Sequence, residues 1–133
     1  MTKKLTKKQK ELNKKNRHKK TKMYKRKQAL KELRYNDTKW RMSVHNKFNG
    51  ECIICGSKKN INCHHIIPRN FIETRHDKKN GITLCAKHHK FGSFSAHKNP
   101  LWFFIILEED YNDLYKHAIE NIIKLNELYC EQI

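Results

Sequence analysis

Polar side chains hold nearly every position of "MTKKLTKKQKELNKKNRHKKTK" (1–22), where only Leu5 and Leu12 follow Met1 as apolar anchors. Such a stretch has no face to bury, which predicts disorder or a helix formed on a polyanion. From Met23 to Phe48 apolar residues recur at helical spacing: Tyr24, Leu30, Leu33, Trp40, Val44 and Phe48. "YNDT" (35–38) predicts a break, with Asp37 or Thr38 capping a second helix that carries Trp40, and "NG" at 49–50 predicts its end. "ECIICGSKKNINCHHIIP" predicts a short β-hairpin: a knuckle at Cys52–Cys55, a turn through Gly56–Asn60, then a strand from Ile61 to Ile67 stopped by Pro68.

"RNFIETRHDKKNG" predicts a long polar loop. "ITLCAKHHKF" begins as a strand and turns into a short helix near Cys85, interrupted at Gly92. Pro100 suits the first turn of a helix over "PLWFFIILEED". "DLYKHAIENIIKLNELY" is amphipathic, with Leu114, Ala118, Ile122, Leu125 and Tyr129 on one face. Two short strands among helices, with no internal repeat, predict an α+β fold.

Charge divides the chain further. Of 30 Lys+Arg and 13 Asp+Glu, residues 1–39 hold 17 basic and 3 acidic side chains, an excess of 14; the remainder holds 13 and 10, an excess of 3. The expected organisation is a basic arm, disordered or helical, over 1–38 and a domain with a modest core over 39–133. An excess this dense favours a polyanion, with nucleic acid as the leading partner and Lys14, Lys15, Lys19 and Lys20 as candidate phosphate contacts. The arm has too few apolar residues to bury a face in lipid, "PLWFFIIL" is too short to span a membrane, and the N-terminus has no apolar leader segment. A cytoplasmic setting is expected, in which five cysteines including "CIIC" favour a metal over disulfides.

Cys52 and Cys55 form C-x2-C, Cys85 and His88 form C-x2-H, and twenty-nine residues separate the pairs. Each pair can set two ligands on one face of a tight turn, so together they suit a closed, structural zinc site. Such a staple suits a small domain with a long polar loop. Cys63 is a competing ligand and would make an all-cysteine site, but it lies mid-strand, which favours His88. Cys130 is expected on the last helix as core or surface. With His88 at zinc, His64, His65, His89 and His97 remain. On a helix from Cys85, His89 is turned by ~100° from His88 and can face the strand that carries "CHHIIP". Two imidazoles can hold a divalent ion, and a third, neutral beside it, can act as general base near pH 7. Taken singly, His64 or His65 is also a plausible packing residue, and strand alternation sets the two on opposite faces.

C-x2-C, then "HHIIP", "NGITLC" and C-x2-H-H resemble the HNH endonuclease family, over about residues 48–100. The resemblance implies a small ββα-metal core with a structural zinc site, flanked here by the basic arm and the C-terminal helices. It implies His65 as general base, His64 in the ligand position where many members have Asp, His89 as a metal ligand, and Asn80 as the residue that ties the loop through backbone hydrogen bonds. His97 is a candidate additional ligand. The run "RHDKKNGITLCAKHHKFGSFSAHKNPLWF" is similar to small phage-encoded HNH proteins of recombination or DNA processing, which would place the chain in the host cytoplasm. With His at position 64, the catalytic ion (Mg²⁺, Mn²⁺, Ni²⁺ or Zn²⁺) stays open, since imidazole favours the softer ions.

Arg69 and Arg75 lie in the loop beside this motif, where each could clamp a phosphate or be a solvated loop arginine. His76 and His117 are expected at the surface, and Trp102 and Phe103 in the core. Three functional readings follow: a metal-dependent DNA endonuclease, a non-catalytic zinc-stabilised nucleic-acid-binding module, and an accessory protein that docks a partner through the C-terminal helices.

Overall fold

The computed structural model describes residues 5–130; residues 1–4, where the basic arm begins, and 131–133 lie outside the described part. The chain divides into two compact units, Met1–Asn36 and Asp37–Ile133. Within α1 (Lys7–Lys47) the first unit is helical, and every residue from Leu5 to Glu32 is exposed. Its start is a capping box: the Gln9 amide donates to Thr6 Oγ1 at 3.3 Å, and the Thr6 amide donates to Gln9 Oε1 at 2.9 Å. Of the two expectations for the arm, the helical one describes these residues.

The break expected at "YNDT" is absent, because α1 continues through it to Lys47. No Gly or Pro interrupts the run, and Asp37 spends its carboxylate on Arg75 and His76 instead of capping a new helix. Helix α1 then ends as the sequence suggests, with Asn49 (φ 54°) and Gly50 (φ 64°) in left-handed conformation.

β1 (Ile61–His65) pairs antiparallel with β2 (Gly81–Cys85), in a register running from Ile61↔Cys85 to His65↔Gly81. β2 is buried along its whole length, whereas β1 is half-buried with only Asn62 exposed. β1 stops at His65, two residues earlier than expected. Beyond it, Asn80 takes over: its carbonyl accepts from the Ile66 amide and its side chain from the Ile67 amide. The expected hairpin is corrected accordingly, since β1 pairs with β2 across a connection that is not one polar loop. That connection holds a single turn, α2 (Ile72–Arg75), and a 3-10 turn (Lys78–Asn80) capped by Asp77, whose Oδ1 accepts from the Lys79 amide.

After β2 a π-helical turn covers Lys87–Phe91. Helix α3 (Pro100–Asp110) follows, with Asn99 as its cap, and then α4 (Asn112–Cys130). Ile66, Ile67, Ile82, Leu84, Phe103, Leu107, Leu114, Ala118 and Leu125 form the core that fastens both helices to the sheet. Ile122 and Tyr129, expected on the buried face of α4, are partly solvent-exposed. Among the described residues no helix is long and apolar enough to cross a membrane.

Candidate metal centre and catalytic cleft

The knuckle is built from two turns brought together by β2. Gly56 takes φ 68°, a left-handed turn that closes the C-x2-C segment, where the Gly56 amide donates to the Cys52 carbonyl at 2.8 Å. The Ile53 amide donates to the Thr83 carbonyl and hangs this turn on β2, at whose end Cys85 lies. Cys52 Sγ and Cys85 Sγ lie 3.5 and 3.4 Å from His88 Nδ1, and Cys55 Sγ lies 3.8 Å from Cys85 Sγ. Bonds of about 2.3 Å to sulfur and 2.0 Å to nitrogen give a tetrahedral ion ligand–ligand edges of about 3.5–3.8 Å. The four groups therefore fit a metal ion. Burial pushes the Cys52 thiol up, but amide hydrogen bonds from Cys85, Ile54 and Cys55 outweigh it and bring the group down to about 6, toward the thiolate that binds metal. Cys63 takes no part: its thiol donates to the Arg41 carbonyl on α1. Cys130 is exposed at the end of α4.

A second cluster stands at the other side of the helical turn. His89 Nε2 and His97 Nε2 are 3.2 Å apart, and the His64 ring meets both edge-on at centroid distances of 5.2 and 4.9 Å. The ligand atoms of His64, His89 and His97 lie within 4.8 Å of one another. The loop 88–97 curls back to allow this, with the Ala96 amide on the His88 carbonyl and the His97 amide on that of His89. Burial first, and then the neighbouring histidines, push His64 down to about 3. His89 is lowered by burial and by His97. Imidazoles grouped in this way offer lone pairs that a divalent ion suits.

His64 and His65 point to opposite sides of β1, as alternation requires. The His65 ring lies flat on Trp40, with centroids 3.7 Å apart and planes 8° apart. Its Nε2 is 2.9 Å from the Arg75 carbonyl. A carbonyl only accepts, so Nε2 carries the proton and Nδ1 keeps the lone pair. Burial lowers His65, against the opposing pull of that carbonyl. Although their rings diverge, both histidines line one cleft of about 700 Å³ with His89, His97 and Arg69, because β1 ends there.

Asn80 is buried at 1 % exposure. Its Oδ1 accepts from the Ile67 amide at 2.6 Å, and its Nδ2 donates to the carbonyls of Ile67 and Thr74 at 3.0 Å each. These bonds fix the connection on which the Arg75 carbonyl is carried. Arg75 is not available to a phosphate: Nε and NH2 fork onto the two Asp37 oxygens at 2.8 and 2.7 Å. His76 and His117, expected as plain surface residues, are instead half-buried partners of Asp37 and Asp77. Phe103 is core and meets His64 edge-on, and Trp102 stacks near His88. Lys14, Lys15, Lys19 and Lys20 are exposed in the other unit.

Sequence reasoning missed Trp40 and Asp37 as neighbours of the site. Both occur in a helical stripe, and nothing local marks a contact across 25 or 38 positions. Asp77 did carry a signal, since Asp ahead of "KKNG" is an Asx-turn pattern.

A family model described as HNH endonuclease matches residues 52–95. The match spans the knuckle, both strands and His89, covers about a third of the chain, and ends short of His97. Over these residues the chain is similar to the HNH endonuclease family. No curated protein and no solved structure matches the chain.

Proposed function

We propose that the protein is a metal-dependent endonuclease that hydrolyses phosphodiester bonds in DNA with His65 as general base. One observation carries this reading: three imidazoles grouped tightly enough for one ion line a cleft together with a fourth whose Nε2 is 2.9 Å from a backbone carbonyl.

His64, His89 and His97 would hold the divalent ion. When bound, it supplies electrostatic stabilisation of the charge that grows on the phosphoryl oxygens and the leaving oxygen. His65 Nδ1 takes a proton from water as that water's oxygen attacks phosphorus in line. The bond from phosphorus to the 3′ oxygen breaks, and that oxygen takes a proton from solvent water, leaving 5′-phosphate and 3′-hydroxyl ends. Asn80 keeps the connection rigid, and Arg69, on the cleft wall, pairs with a phosphate. Cys52, Cys55, Cys85 and His88 would hold a structural Zn²⁺, which would supply a cross-link for the small domain. The basic residues of the first unit add affinity that does not depend on base sequence. By the resemblance of its central run, the setting is phage DNA recombination or processing.

The test is cleavage of supercoiled and linear DNA with Mg²⁺, Mn²⁺, Ni²⁺ or Zn²⁺, alongside metal content. Wild type nicks DNA, His65→Ala stays folded with both metals and loses nicking about 10²- to 10⁴-fold, and Cys52→Ser loses zinc and unfolds. Full nicking by His65→Ala refutes the base assignment. One metal per chain and no cleavage with any ion would favour the non-catalytic binding module.

A further inference from the structure

His65 is flanked by Trp40, which precedes the family-matched segment, and by Arg75, which lies within it. Trp40 covers one face of its ring, coplanar to within 8°. Trp40 is fixed in turn: its Nε1 donates to the Asp77 carbonyl at 2.8 Å, and the residue is 5 % exposed. Gly81 faces His65 in the strand ladder and makes room for the indole. A Cβ at that position would stand 2.7 Å from Trp40 Cζ2 and 2.4 Å from Val44 Cγ2. The carbonyl that receives the His65 Nε2 proton belongs to Arg75, whose guanidinium is forked onto Asp37. Asp37 and Trp40 are three positions apart on α1, so one helical turn presents both.

A tryptophan that only fills the core needs apolar neighbours, not a parallel imidazole. The torsion that turns an imidazole about its Cβ–Cγ bond is broad by nature. A coplanar stack on one face and a fixed acceptor at Nε2 remove that freedom together. We infer that Trp40 and the Asp37–Arg75 pair are positioning residues, which hold the plane and tautomer of His65 so that Nδ1 remains the free lone pair in the cleft. This rests on the reading of His65 as general base. Trp40 touches neither DNA nor ion and acts through His65. Misplacing a reacting group by about 1 Å costs on the order of 10²-fold in rate.

The experiment compares Trp40→Leu, Trp40→Phe, Gly81→Ala and His65→Ala in the full chain, with kcat and KM measured separately and zinc content and circular dichroism reporting the fold. Long-range ¹H–¹⁵N spectra of the wild type report the His65 tautomer. Trp40→Leu and Gly81→Ala lower kcat about 10- to 100-fold and leave KM within about twofold, the split expected when only the transition state is affected. Trp40→Phe keeps an aromatic face and retains most of kcat. In the wild type the His65 ring protons lie upfield of the other histidines, from the ring current of the stacked indole, and Nε2 carries the proton. A folded Trp40→Leu with wild-type kcat overturns the inference, as does equal loss in Trp40→Phe and Trp40→Leu. If Trp40→Leu fails to fold, the wild-type spectra decide: unshifted ring protons or an Nδ1–H tautomer overturn it. Undiminished cleavage by His65→Ala would instead sink the general-base reading, with the stack and tautomer still read from the spectra.

Discussion

At the residue scale, two adjacent histidines serve different ends because a strand alternates. His64 turns toward His89 and His97, and His65 toward Trp40 and the Arg75 carbonyl. One cleft receives both because β1 stops at His65. Just beyond that end stands Asn80, a buried amide that takes both the N–H and the carbonyl of Ile67 and bonds the Thr74 carbonyl as well. Asn80→Ala leaves those groups unpaired in the interior and should cost about 2–4 kcal/mol. Urea unfolding checks this: the midpoint falls while the slope stays constant, and an unchanged midpoint would mean that water or a neighbour replaces the amide. That His64, His65, His89 and Asn80 belong to one region could be expected from the sequence, through the resemblance of their motifs to the HNH family. Trp40 could not, since its sequence neighbours give it the appearance of an ordinary stripe residue.

At the element scale, the informative case is the end of α1. "YNDT" has the composition of a helix start, and local preference alone predicts a break there. A long-range pairing wins: Arg75, 38 positions away, forks onto Asp37 and uses the carboxylate that would have capped. The hydrogen bonds from Arg75 outweigh burial and, helped by His76, hold the Asp37 carboxyl well below the usual carboxylate range. A group depressed in the folded state adds stability above its unfolded value, about 3.9, and that stability is lost as pH falls below it. Asp37→Asn is therefore expected to lower stability at pH 7 by about 1 kcal/mol, a modest figure because water still reaches the pair. Thermal melts of both proteins from pH 7 to pH 3 should show the gap constant down to about pH 4 and beginning to narrow below it. A constant gap would assign the loss to something other than ionisation. By contrast, α3 was legible from Pro100, whose fixed φ suits a first helical turn, while the Asn99 cap emerged only in the structure. The turns α2 and Lys78–Asn80 were not, because single turns have no periodicity to read.

At the scale of the whole molecule, the proposed function assigns affinity to one part of an uneven charge distribution and chemistry to the other. Residues 40–133 hold nearly balanced charge and both candidate metal clusters, whereas most of the excess that makes the chain +17 precedes them. The first unit buries no residue between Leu5 and Glu32, so its lysines contribute little to packing and remain open to phosphate. Binding of this kind releases counterions, and the logarithm of the association constant falls with the logarithm of salt concentration by about 0.9 for each phosphate neutralised. Replacing Lys14, Lys15, Lys19 and Lys20 together by Gln removes four charges from a helix held by its own backbone and cap, so folding should be undisturbed. The salt slope should drop by up to about 3.6, equally for DNA of any sequence, while kcat at saturating DNA stays at the wild-type value because no group in the cleft has changed. Anisotropy titrations at several salt concentrations measure the slope, and nicking at saturation measures kcat. An unchanged slope would move the phosphate contacts to the second unit, with Arg69 the first residue to substitute; a fall in kcat would mean that these lysines also help place DNA in the cleft.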